Sequence, residues 1–78
     1  MIIKTHKTHY ISDRNTELTY CFKLNPGWKR LLFFPKKSST IEIDGDYIIL
    51  SFPDWLYEKN KDKFDNVYFE IINKNDNN

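Results

Sequence analysis

The sequence predicts a mainly β fold: a β-rich α+β domain, built as a five- or six-stranded antiparallel meander or small barrel, with one short helix near residues 53–60. Three observations predict it. Apolar and polar residues alternate with period two over residues 17–24 and again from Val67 through Phe69 to Ile71, the pattern of a strand with one buried face. Turn-forming residues, Asn25-Pro26-Gly27 and Asp44-Gly45, separate these runs. A single helix-start pattern follows Ser51, at Pro53-Asp54-Trp55-Leu56.

Residues 2–11, IIKTHKTHYI, read as a first strand with a polar exposed face. Ser12-Asp13-Arg14-Asn15 then reads as a turn, because these side chains bond readily to nearby backbone. In the strand over 17–24, Leu18, Tyr20, Phe22 and Leu24 share one face, with Thr19, Cys21 and Lys23 on the other. Asn25-Pro26-Gly27 fits a type II turn with glycine at positive φ. Residues 28–34, WKRLLFF, form the next strand, with Trp28, Arg30, Leu32 and Phe34 on one face and Leu31 and Phe33 on the other. Two covered faces suit a closed or partly closed barrel.

Pro35 ends that strand or marks a sheet edge, since it has no N–H for the ladder. Lys36-Lys37-Ser38-Ser39 is an exposed connection, and Ile41 and Ile43 open a fourth strand. Asp44-Gly45 signals a type I′ hairpin into a fifth strand over 47–52. Ser51 and Asp54 have capping-box spacing, and Trp55, Leu56 and Phe64 would pack the short helix on the sheet. A last strand runs through Val67, Phe69 and Ile71. The chain is thus one domain over residues 1–72 with a disordered polar tail over 73–78.

Two Trp, five Tyr and six Phe are many rings for 78 residues, so some should lie on the surface as an interaction patch or be sealed in a homodimer. Cys21 is alone, which rules out an intramolecular disulfide and suits a reducing compartment. The longest apolar runs, 31–34 and 47–50, are four residues each, far short of a membrane span. A soluble cytoplasmic protein is expected, with no membrane partner. The formal charge of +1 hides a split: residues 1–37 carry eight basic and two acidic side chains, residues 38–78 four and nine. Such asymmetry marks either a polyanion-binding face or two halves that attract each other.

Leu32-Phe33-Phe34-Pro35-Lys36-Lys37-Ser38, then Ile41-Glu42-Ile43-Asp44-Gly45-Asp46, then Pro53-Asp54-Trp55-Leu56 resembles a pattern of small phage and prophage accessory proteins. The resemblance covers about residues 31–60, with Lys37 inserted between Lys36 and Ser38. It implies a β-rich accessory protein of a mobile element, carried into the host cytoplasm, and implies no catalytic residue.

Catalytic and metal chemistry find little footing. His6 and His9 would share a face on a helix and could join Cys21 around zinc, but on a strand they point to opposite faces. Cys21 lacks an activating base in its neighbourhood. Asp44, Asp46, Asp54 and Glu58 lack the spacing of a calcium loop, and the two glycines form no phosphate loop. No cofactor, metal or enzymatic activity is expected. The expected function is binding: a phage-type product that inhibits or modulates a host protein or nucleoprotein complex, for example an anti-defence (anti-CRISPR) inhibitor. The alternative is single-stranded DNA or RNA bound along 22–37, where Phe22, Trp28, Phe33 and Phe34 interleave with Lys23, Lys29, Arg30, Lys36 and Lys37. A weaker alternative is an antitoxin or immunity partner, with the acidic segment 42–65 mimicking a polyanion. The candidate contact residues are Trp28, Lys29, Arg30, Lys36, Lys37 and Trp55.

Overall fold

The structure, a computed structural model, describes residues 1–27 and 30–73. Among them the chain forms six strands and one short helix: β1 Ile2–His6, β2 Thr19–Phe22, β3 Leu32–Pro35, β4 Thr40–Asp44, β5 Tyr47–Ser51, α1 Asp54–Lys59 and β6 Phe69–Asn73. The mainly β class is as the alternation implies. The path is not a meander and the sheet does not close into a barrel. A four-stranded antiparallel sheet has the order β4-β5-β1-β6, and β2-β3 is a separate hairpin sheet. β1 takes a central place because Ile3 and Thr5 are buried, whereas β4 carries no buried side chain and suits an edge.

The first strand is shorter than residues 2–11. After His6 the ring Nδ1 accepts the Thr8 N–H, and the backbone makes a 3-10 turn over Lys7–His9 before Tyr10 rejoins a ladder as a bridge to Phe22. Side-chain bonds to the local backbone have displaced the strand. The same effect starts β2 at Thr19. Thr16 Oγ1 accepts the Leu18 N–H, and the resulting turn leaves Leu18 73% exposed instead of facing the core. Cys21, on the face assigned to solvent, is fully buried: Asn15 Oδ1 accepts its N–H and its carbonyl accepts the Ile11 N–H, so residues 11–15 lie over it.

The turns also differ in detail. Gly27 has no positive φ. Asn25 does the work instead: its Oδ1 accepts the Gly27 N–H at 2.9 Å, and its Nδ2 donates to the carbonyls of Arg30 and Lys63, both at 2.8 Å. This buried amide ties the β2–β3 connection to the segment before β6. The β4–β5 turn centres on Gly45-Asp46, one residue later than expected, because Asp44 pairs with Tyr47. Gly45 has φ 62° and Asp46 does not have positive φ, which is the type II′ pattern rather than type I′. The Ser51 cap does not form either. Pro53 is the N-cap residue and makes no side-chain cap, while Asp54 Oδ1 accepts from the Met1 nitrogen at 2.6 Å.

The two sheets meet through phenylalanine. Phe22 of β2 touches Phe34 of β3 edge to face at 5.6 Å, and Phe34 meets Phe52 at 4.9 Å. Phe52 stacks on Phe64 at 5.8 Å, and Phe64 meets Phe69 of β6 at 5.7 Å. Around this line pack Met1, Ile3, Leu24, Leu32, Ile48, Leu50 and Leu56. α1 is held by Leu56 and by Tyr57, whose ring lies 5.0 Å from Phe64; Trp55 points away. Val67 precedes β6 and is exposed. Among the described residues no helix is long and apolar enough to cross a membrane.

Phe34→Ala removes a fully buried ring that touches Phe22, Phe52 and Phe64 and should cost about 3–5 kcal/mol, which exceeds what a domain of this size can usually lose. Asn25→Ala leaves three partly buried backbone groups without their partner and should cost roughly 1–3 kcal/mol. Leu18→Ala and Trp55→Ala should stay within about 0.5 kcal/mol of the parent. Urea unfolding followed by circular dichroism ranks the four.

Candidate functional site

Residues opposite one another in a ladder share a face, so the register defines both faces of the four-stranded sheet. The inner rows, Ile41–Leu50–Ile3–Ile71 and Ile43–Ile48–Thr5–Phe69, point to the core side. The outer rows are Glu42–Ile49–Lys4–Glu70 and Asp44–Tyr47–His6, followed by Thr40–Ser51–Ile2. None of these outer side chains is buried. The central strands present Ile2, Ile49 and Tyr47, while the edge strands present Glu42, Asp44 and Glu70. Lys4, His6 and Ser51 stand among the apolar residues of the middle strands, so the face is mixed along its middle and acidic along its margins.

At one end of this face four rings follow one another. Tyr47 lies 5.5 Å from His6, His6 lies 6.4 Å from His9, and His9 lies 5.0 Å from Tyr68. Lys4 Nζ sits 4.9 Å above the Tyr47 ring and Lys23 Nζ 5.4 Å from that of Tyr68. Lys4, His6, Tyr47, Val67, Tyr68 and Glu70 border a shallow cleft of about 370 Å³. The 3-10 turn after β1 is what brings His6 and His9 together. A strand continued through residue 9 would have put them on opposite faces, as the alternation implied. The period-two pattern hid this cluster; the signal that could have found it was the pair of Thr side chains beside the histidines, ready to bond locally.

The hydrogen bonds assign the imidazole tautomers. Thr5 Oγ1 donates its proton to the Tyr68 carbonyl at 2.7 Å, so His9 must donate to Thr5 Oγ1 through Nδ1–H at 2.9 Å. His6 Nδ1 accepts from the Thr8 N–H and so carries its proton on Nε2. Burial pushes His9 below its ordinary value of 6.5; His6 and Lys23 push the same way, and the Tyr68 carbonyl opposes them. His9 is therefore a neutral hydrogen-bonding group that fixes the loop before β6.

The described residues among those expected to make contacts lie on different elements: Arg30 before β3, Lys36 and Lys37 after it, and Trp55 on α1. Trp28 and Lys29 lie outside the described residues. Arg30 is exposed and donates to both the carbonyl and the carboxylate of Asp62, the latter at 3.0 Å. Lys36 and Lys37 are exposed beyond the other end of β3, with Lys36 Nζ 5.4 Å from the Tyr20 ring. Arg30 and Lys36 flank opposite ends of β3, whose four residues span roughly 13 Å at ~3.3 Å each. Trp55 is 58% exposed on α1. Two rings of the 22–37 stretch, Phe22 and Phe34, are fully buried, and Phe33 is turned to the opposite face of β3 from Phe34.

The charged halves do meet in the fold: Lys7 pairs with Asp46 and Arg30 with Asp62, each at 3.0 Å. Among the described residues no three His, Cys, Asp or Glu side chains converge as metal ligands would. Asp54 is engaged by Met1 and Glu58 by Lys61, away from Asp44 and Asp46 on the β4–β5 hairpin. Burial raises the Cys21 thiol pKa, with Asp13 adding to this and Arg14 opposing it, so the thiol is held in its unreactive form. Comparison of the chain with protein-family models, with curated proteins and with solved structures found no match.

The depressed His9 value has a definite sign. Folding favours the neutral ring, so its contribution is complete above the ordinary value of 6.5 and is lost as pH falls through 6.5 toward the lower folded value. The parent protein should lose more thermal stability than His9→Asn when pH drops from about 7.5 to about 5.5; equal losses would mean that His9 titrates as a free imidazole. Cys21 should react with a thiol reagent only at the rate of unfolding, and a fast native-state reaction monitored by absorbance would contradict its burial.

Proposed function

We propose that this chain is a non-catalytic binding domain that docks on a protein partner through the outer face of the four-stranded sheet. One observation carries the reading: Ile2, Ile49 and Tyr47 run along the two middle strands of that face from one end to the other, with Lys4, His6 and Ser51 among them and Glu42, Asp44 and Glu70 on the edge strands. Exposed aliphatic and aromatic side chains framed by polar and charged ones are the anatomy of a protein interface. Tyr47, with Lys4 over its ring, has the amphipathic character of an interface anchor. The acids at the margins favour a basic partner surface and disfavour phosphate. The nucleic-acid alternative is weakened by the same arrangement, since Phe22 and Phe34 are spent on the core.

The resemblance of residues 31–60 to phage accessory proteins supplies the biological setting of the proposal: occupation of a host protein or nucleoprotein surface, in the host cytoplasm. The buried free thiol of Cys21 suits a reducing compartment.

Tyr47→Ala and Ile49→Lys should each abolish a stoichiometric complex recovered from host cells while leaving the circular-dichroism spectrum unchanged. The charge reversals Lys36→Glu and Lys37→Glu should leave that complex intact. Labelled oligothymidine and oligouridine should not be retained at low salt. Retention that declines steeply with salt and is cut by the two charge reversals would overturn the proposal in favour of nucleic acid.

A further inference from the structure

We propose that β4 is a strand-addition site for an extended basic segment of the partner. The inference rests on the sheet being the docking element and adds the mode of docking. β4 is an edge strand, hydrogen-bonded to β5 alone. Among the described residues no other backbone group bonds to residues 40–44. The strand is roughly 17 Å long at ~3.3 Å per residue; Thr40, Glu42 and Asp44 turn their backbone groups to β5, and Ile41 and Ile43 offer unpaired N–H and C=O groups along the outer edge. The opposite edge, β6, is a poorer template, because its register with β1 shifts between Ile2 and Ile3. β4 has an unbroken register and contains no proline or lysine, so the usual protections of an edge are missing apart from charge.

The side chains specify the occupant. Glu42 and Asp44 point to the outer face, and among the described residues neither has an ion-pair partner; Asp46 at the turn is engaged by Lys7. Ile43 points to the core side yet is 69% exposed, because the core ends beneath β5. A strand laid beside β4 would set alternate Lys or Arg side chains against Glu42 and Asp44 and apolar side chains over Ile43. A second copy of this chain is the wrong occupant, since antiparallel pairing of two β4 edges brings the acid rows together.

The test titrates the isotopically labelled full chain with a peptide alternating Lys and Val and follows the backbone amides by NMR. The peptide should perturb the amides of residues 40–44 and newly protect those of Ile41 and Ile43. A Glu-Val peptide should not bind, and neither should the Lys-Val peptide N-methylated along one edge. Glu42→Lys combined with Asp44→Lys should weaken binding about tenfold or more; both residues are exposed, and the variant's spectrum reports its folding directly. Three results would overturn the inference: no binding, unchanged binding of the N-methylated peptide, or perturbation confined to the amides of Ile2, Tyr47 and Ile49. The last would leave the outer face as the docking surface and remove only the strand-addition mode.

Discussion

Everything in this fold depends on one line of rings. Phe22, Phe34, Phe52, Phe64 and Phe69 come from five separate segments and touch in sequence. Each ring removes ~150–250 Å² from water, and edge-to-face contact adds about 0.5–1.5 kcal/mol per pair. The line clamps the β2–β3 hairpin onto the inner face of the larger sheet and anchors the segments on either side of α1. A one-residue slip of β2, β3 or β6 would turn its phenylalanine to the other face, so the ring line also fixes register.

Committing five of the six phenylalanines to the interior leaves the outer surface to other residue types. Only Phe33 escapes, because it alternates with Phe34 on β3. What the larger sheet shows to solvent is isoleucine and tyrosine beside Lys4, His6 and Ser51 in its middle strands and carboxylates along its margins. An antiparallel sheet can keep one face wet at little cost, and that freedom is what makes the outer face and the β4 edge available to a partner.

The candidate site was only partly legible in the residues. The β4–β5 hairpin was visible because Ile41 and Ile43 alternate before a glycine and an apolar run follows it; which side chains of that run face the core was not, because all four are apolar. The basic and aromatic stretch over 22–37 suggested a binding platform because ring and cation types alternate there. Residue type alone does not say that Phe22 and Phe34 are core while Tyr47 is exposed. His6 and His9 were misplaced for a local reason: Thr8 and the His6 ring bond to each other and bend the chain, and alternation cannot register a bend made by side chains. Leu18 was misplaced in the same way by Thr16.

By itself the sequence determined the class of fold, the presence of turns around Asn25-Pro26-Gly27 and Gly45, and the division of charge between its halves, because these follow from local alternation, turn chemistry and composition. Tertiary structure alone decided that β1 sits between β5 and β6, that the hairpin covers the inner face, and that histidines from the first turn meet tyrosines from β5 and the loop before β6. Those outcomes require segments forty or more residues apart to compete for one interior. The winner is set by which combination buries the most ring surface, a sum over the whole chain that no local pattern contains.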